Sequence, residues 1–283
     1  VSFVDAAHGW VIETAPCATK PCTSVLRTTD GGAAWKGIPA PKADLTFAWQ
    51  TAGSPVESIR FANQLDGWAF GQQLWSTHNG GSSWNRVTVG GANTDIQSLE
   101  TGGGRAYATT IDCNVGSGGN CSRTTQVIEA SIGSDSWHTI VTLSTVAGAD
   151  GYSPAILTVH GDQWWLPLAS DLYHGVGTDQ PTTLTNPCLA FQHQQQLPGG
   201  FGFAPNDNVH LDALCHTSND DGGSTHVHLR PSVDSGAHWK NAGRVTTMPS
   251  DQSGIADNGA GDLLVAAYSG GSEVLRTSND GTS

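Results

Sequence analysis

The sequence predicts an all-β fold: a six-bladed β-propeller of four-stranded antiparallel blades, forming a single domain over residues 1–283. Three observations predict it. The 283 residues include 36 glycines and only 13% charged residues, a composition that suits short strands and tight turns better than helical bundles. A turn motif recurs along the chain at intervals near fifty residues. A second pattern, two short alternating strands with an aromatic anchor, recurs in phase with it.

The turn motif is Thr28-x-Asp30-x-Gly32-x-x-Trp35. It returns as Thr77-x-Asn79-x-Gly81-x-x-Trp84 and as Ser232-x-Asp234-x-Gly236-x-x-Trp239. A truncated copy, Thr277-x-Asn279-x-Gly281, closes the chain. The hydroxyl and the Asx side chain can bond the backbone N–H groups of a tight turn. The glycine supplies a positive φ. The tryptophan opens the next strand and is expected to pack in the seam between blades. Trp137 marks a degenerate third unit, and a fourth, without the motif, is expected to centre near Asn186.

The second pattern sets Phe3 before Gly9-Trp10 and Phe61 before Gly67-Trp68 at the same offset. Weaker copies pair Leu99 with Tyr107, Leu157 with Trp164-Trp165, Phe203 with Val209, and Ile255 with Leu263. Each blade is therefore strand A, strand B, strand C, turn motif, strand D. The expected blades are 1–45, 54–92, 95–143, 153–188, 197–247 and 253–283. The last lacks its fourth strand, and an unpaired edge is a liability. The closing strand is expected from residues before Val1 or after Ser283.

The run Ser58 to Trp68, followed by Leu74 to Trp84, resembles the Asp-box (BNR) propellers, among them sialidases, sortilin-type receptors, photosystem assembly-factor-like propellers and xyloglucanases. The resemblance covers the whole chain. It implies a fold, and it implies that the Asp-box residues are structural; function does not follow from the fold. In such propellers the binding face carries the B–C loops and the D–A connections.

The unusual loops fall on that face. Cys17 and Cys22 bracket the first B–C loop, and Cys113 and Cys121 the third. Cys188 lies in the connection from blade four to blade five and Cys215 beside the fifth B–C loop, so these two are expected to pair. Six cysteines in loops, without a Cys-x2-Cys zinc pattern, imply three disulfides and an oxidising, extracellular compartment. Elaborated loops on a rigid scaffold are where function concentrates. Trp49, Asp112, Asp150, Tyr152, Phe191, His193 and Asp221 fall in or beside them. Aromatic faces beside carboxylates suit a neutral sugar.

Charge narrows the partners. With 12 Lys+Arg against 25 Asp+Glu the net charge is −13, which disfavours nucleic acid. No apolar run is long enough to insert in a membrane as a helix. Only four lysines, with abundant Ala, Gly and Thr, fit a GC-rich bacterial genome. No cofactor or metal is expected.

Sialidase chemistry is not expected. Arg27 and Arg276 belong to the repeat, Arg230 lies one position away from theirs, and Arg60 and Arg105 alone do not make an arginine triad. The expected function is recognition of carbohydrate, or of an extracellular protein, on the disulfide-bearing face. The alternatives are a glycoside hydrolase or polysaccharide lyase using loop carboxylates or blade-five histidines (His210, His216, His226, His228), and a structural module of a larger secreted protein.

Overall fold

The structure is a computed structural model that describes residues 1–16, 21–43, 56–91, 94–115, 121–145, 155–168, 171–188, 202–218, 225–240, 244–248, 252–257, 263–268 and 272–277. All their regular structure is β. The first sheet is β1 (Ser2–Phe3), β2 (Gly9–Pro16), β3 (Pro21–Thr28) and β4 (Lys36–Ile38). The second is β5 (Val56–Phe61), β6 (Asp66–Gly71), β7 (Leu74–His78) and β8 (Asn85–Val87). The third is β9 (Thr94–Gly102), β10 (Arg105–Val115), β11 (Cys121–Ser131) and β12 (His138–Thr145). The fourth is β13 (Thr158–His160), β14 (Gln163–Leu168), β15 (Asp171–Val176) and β16 (Thr182–Thr185). The fifth is β17 (Gly202–Pro205), β18 (Leu211–Ser218), β19 (Thr225–Ser232) and β20 (Arg244–Met248). The sixth holds β21 (Gln252–Asp257), β22 (Leu263–Tyr268) and β23 (Ser272–Thr277).

Every sheet is an antiparallel meander in chain order, with four strands in five sheets and three, among the described residues, in the sixth. The chain divides into two compact units. One is Val1–Ala147 with Ala155–Leu157, and the other is Gly148–Pro154 with Thr158–Ser283.

In the first unit the turn motif works as its residue types imply. Thr28 Oγ1 accepts the Gly32 N–H at 2.9 Å and donates to Asp30, whose carboxylate accepts the Ala34 N–H at 2.9 Å. Thr77, Asn79 and Ser83 repeat these bonds in the second sheet. A second lock, in the A–B turn, was missed by the repeat analysis. Asp5 Oδ1 accepts the N–H groups of Ala7 and His8, and Asn63 Oδ1 those of Leu65 and Asp66. The two turns are then tied together: Gly31 N–H donates to Ala7 O and Gly80 N–H to Leu65 O. A Cβ at Gly80 would sit 2.8 Å from the Gln64 carbonyl, so glycine there allows a close backbone approach.

The Phe-to-Gly-Trp pattern also has a packing cause. Phe3 pairs across the strands with Gly9, and Phe61 with Gly67. Each ring lies over its glycine, where a Cβ would stand within 2.6 Å of the Phe3 or 2.5 Å of the Phe61 ring. Phe61 then stacks on Trp10 at 3.8 Å and meets Trp84 edge-on at 6.1 Å, forming the core between the first two sheets. The Trp10 indole donates across that seam to Gly80 O, in the C–D turn of the next sheet. Trp68 occupies the same position one sheet on, but the third sheet has no Asp-box to receive it. Its indole N–H is buried without a partner among the described residues, and its ring meets Trp137 edge-on at 6.2 Å.

The second unit repeats the scheme. Ser232 and Asp234 lock the fifth turn, Asp207 locks the A–B turn, and Ser235 N–H donates to Val209 O. The Trp165 indole donates to Ser235 O at 2.9 Å, again from strand B to the next sheet's turn. Trp165, Leu172, Phe203, Leu211 and Ala213 form the core there.

Two placements are corrected. The fifth sheet's strand B does not start at Val209: its A–B hairpin closes on Pro205 and Leu211, and Val209 is a turn residue 45% exposed. The fourth unit's C–D turn is not near Asn186. It lies between Val176 and Thr182, while Asn186 follows the sheet, buried, and accepts the Cys188 N–H at 3.0 Å.

Candidate binding face

Strand A begins, and strand B ends, at one end of each sheet, because the two are antiparallel. That end receives the D–A connection and sends out the B–C loop. Asp112 lies there, opposite Thr94 in the third sheet. Thr94 Oγ1 donates to the Asp112 carboxylate and accepts the Gly91 N–H at 2.7 Å. Asp112 thus anchors the connection entering the third sheet. Trp49, Asp150, Tyr152, Phe191, His193 and Asp221 lie outside the described residues, as do Asn279, Gly281 and Cys17.

Of the cysteines, Cys188 and Cys215 form the expected disulfide, with Cα atoms 5.2 Å apart. Cys22 is disulfide-bonded, and its expected partner is Cys17. Cys113 and Cys121 stand on either side of the β10–β11 loop, at register positions two apart: Cys113 faces Arg123 and Cys121 faces Val115.

Beside Asp112 the second and third sheets enclose a pocket of about 220 Å³. Gln72 and Gln73, from the β6–β7 loop, form one wall. Arg86 of β8, Thr88 and Gly90 of the connection, and Thr94 of β9 line it as well, together with the apolar Leu74, Val87, Val89 and Ile96. Among the described residues Arg86 is the one charged residue in this lining. It is exposed and pairs across the strands with Trp75. The Trp75 indole donates to Gln73 Oε1 at 2.9 Å, which turns the Gln73 amide nitrogen away as a free donor.

Two carboxylates missed from the sequence lie at the same end. Glu57 is the second residue of β5 and Asp95 the second of β9. Burial pushes the Glu57 carboxyl up, and the nearby Asp95 charge adds to it. Burial also raises Asp95, against a hydrogen bond from Gln97 that favours the carboxylate. The signal was present in the repeat: each stands four positions before its strand-A anchor, Phe61 or Leu99. Strand alternation turns Asp95 away from Thr94 and Ile96, both of which line the pocket.

The arginines considered for a sialidase are otherwise engaged. Arg60 pairs with Glu100, and Arg105 with Glu129 at 2.6 Å. Arg230 donates to the carbonyls of Pro187, Trp239 and Lys240.

The blade-five histidine cluster is corrected by topology. His210 sits in the A–B turn against Asp207, at 2.7 Å. His226 faces Thr217, and His228 faces Cys215, toward the B–C end of the sheet, and His216 faces Val227 there. His210 is therefore at the opposite end of the strands from His216 and His226. No group of three or more metal-ligating side chains occurs among the described residues. The remaining histidines of the A–B and C–D turns are held by carboxylates: His8 by Asp5, His238 by Asp234, and His78 by Asp66 at 2.7 Å and Asp135 at 3.4 Å.

No protein-family model and no curated protein matches the chain. Solved structures do. YCF48 from Cyanidioschyzon merolae is 17% identical over 93% of this chain and 75% of its own, with a TM-score of 0.51. A GH74 enzyme from Niastella koreensis is 14% identical over 91% of this chain and 41% of its own, with a TM-score of 0.54. A PL25 ulvan lyase, bound to -[GlcA(1-4)Rha3S]-, is 10% identical over 90% of this chain and 70% of its own, with a TM-score of 0.55. The likeness at these identities is one of fold, and the fold is a β-propeller of antiparallel sheets. Among the described residues no helix is long and apolar enough to cross a membrane.

Proposed function

We propose that the chain is a secreted Asp-box propeller, a single domain of six blades, that binds carbohydrate on the face where the B–C loops and D–A connections meet. The observation that carries this reading is the pocket beside Asp112, where two glutamines, an arginine and two threonines converge on a space of about 220 Å³. Convergent amides and hydroxyls on a rigid sheet edge are what sugar hydroxyls need. Trp49, Asp150, Tyr152, Phe191, His193 and Asp221, which lie outside the described residues, are further ligand-binding candidates on the strength of the sequence alone. The Cys188–Cys215 disulfide supports an oxidising compartment. Propellers similar in fold include a polysaccharide lyase, a glycoside hydrolase and YCF48, which in one structure is bound to a D1 peptide. A protein ligand is accordingly the competing binding partner.

A second reading, hydrolysis or eliminative cleavage, is favoured by Glu57 and Asp95. Two nearby carboxyls whose pKa values burial raises are the raw material of acid–base catalysis. One experiment separates the readings: purified protein is screened against a polysaccharide panel for both retention and product release. Retention without products is the expected result. Product release that disappears in Glu57→Gln or Asp95→Asn would replace the binding reading with an enzyme. No retention of any polysaccharide by folded protein would turn the reading to a protein ligand.

A further inference from the structure

We infer that the pocket between the second and third sheets takes the carboxylate of an acidic sugar, one uronate residue of a longer saccharide. This rests on the carbohydrate reading and sharpens it. Three features of the pocket point to the carboxylate.

The first is charge. Arg86 is the one charged residue in the lining, and it has no ion-pair partner among the described residues. The acidic groups nearby are otherwise placed: Asp112 accepts from Thr94, and Asp95 lies on the other side of its strand. A guanidinium presents two parallel N–H donors matched to a carboxylate. In a chain of net charge −13, an arginine with no ion-pair partner among the described residues, in a lining of amides, hydroxyls and the apolar Leu74, Val87, Val89 and Ile96, is locally out of keeping with the surface.

The second is donor polarity. The Trp75 indole donates to Gln73 Oε1, which fixes the orientation of the amide and leaves its N–H groups as donors at a residue that lines the pocket. Thr94 Oγ1 is used as both acceptor and donor by Gly91 and Asp112. What remains around the cavity, at Arg86 and Gln73, is donor-rich and matches an acceptor-rich ligand.

The third is size. At about 220 Å³ the pocket is smaller than the ~300–1,000 Å³ of drug-sized sites, which suits one sugar ring. An acidic peptide would bring a carboxylate but no ring hydroxyls for Gln72 and Thr88.

The test is calorimetric titration with trigalacturonate and with its fully methyl-esterified form, which keeps the rings and loses the charge. The full chain is compared with Arg86→Gln and Gln73→Glu. The acid should bind about tenfold more tightly than the ester, on the scale of one charge-assisted pair. Arg86→Gln should bring the two ligands to equal affinity. Gln73→Glu keeps an acceptor for Trp75, adds a repelling charge, and should invert the preference. Rising salt should shrink the preference, since Arg86 is exposed. Unchanged unfolding midpoints in both variants would exclude a folding defect.

Equal affinity of the wild type for acid and ester, or a preference that survives Arg86→Gln, overturns the inference. If neutral polysaccharides from the panel still bind, the carbohydrate reading stands without it. If no saccharide binds, both fall. Binding of a glutamate-rich peptide that depends on Arg86, with no response to trigalacturonate, also overturns it and assigns the pocket to a protein ligand.

Discussion

Each threonine or serine that opens an Asp-box turn is a small buried switchboard. Thr77 is 1% exposed and serves the Gly81 and Asn79 backbones and the Asn79 side chain through one hydroxyl. Thr77→Val keeps the shape and removes the acceptor, leaving the buried Gly81 N–H unsatisfied. The expected loss is about 1–3 kcal/mol of unfolding free energy, measured by urea denaturation. No change at all would mean that water replaces the hydroxyl. The Asx locks of the A–B turns were equally present in the sequence, as Asp5 to His8, Asn63 to Asp66 and Asp207 to His210. They escaped notice because Asp, Asn and His alternate there without a shared glycine or tryptophan to mark the phase.

The strands show why register is harder to read than existence. Phe3 and Phe61 announce their hairpins because each ring needs the bare backbone of Gly9 or Gly67 opposite. In the fifth sheet no such glycine follows Phe203, and Val209 merely stands at the offset from it that Gly9 keeps from Phe3. It is in the turn because the pair Pro205 and Leu211 closes the hairpin. In the fourth unit, equal spacing of repeats placed the turn near Asn186. The true turn comes earlier, and the chain then runs on to Cys188, whose bond to Cys215 ties the end of the fourth sheet to the fifth. That bond closes a loop of 27 residues. Replacing both cysteines with serine should cost about 3.5 kcal/mol in the loop-entropy account. The check is the unfolding midpoint of the double variant against the oxidised wild type. A midpoint unchanged would show that packing alone holds that connection.

At the scale of the whole molecule, acid should act through the turn carboxylates. Backbone N–H groups first, and histidine or serine partners second, hold Asp207 and Asp234 down at about 2. Asp5 and Asp30 are lowered by the same kind of bond. The unfolded chain takes up the Asp207 and Asp234 protons at about pH 3.9, the folded chain only at about 2. Their stabilisation is therefore complete above about pH 4 and lost as pH falls toward about 2. His174, lowered by burial against Trp165, works in the same direction at higher pH. It contributes a loss as pH falls below the ordinary imidazole value near ~6.5. Denaturation midpoints at about pH 4.5 and 2.5 should drop in the wild type and drop less in Asp207→Asn with Asp234→Asn. Equal drops in both proteins would place the acid sensitivity elsewhere. Glu57, Asp95 and Glu100 oppose this trend, since their raised values favour the folded state when protonated.

The elements and their order were legible in the residues: β-strands in fours, turns locked by hydroxyl and Asx side chains, and the Cys188–Cys215 pair. These are local or repeated facts, and a repeat states the same local rule several times over. Which polar residues share a space depends on how the chain packs. Gln73, Arg86 and Thr94 come from a B–C loop, an outer strand and the next sheet's first strand, and no spacing rule joins them. Likewise the Asp95 charge reaches Glu57 because two sheets pack side by side, and His210 parts from His226 because a strand carries them to opposite ends. A turn is made by neighbours in the chain, while a site is made by neighbours in space.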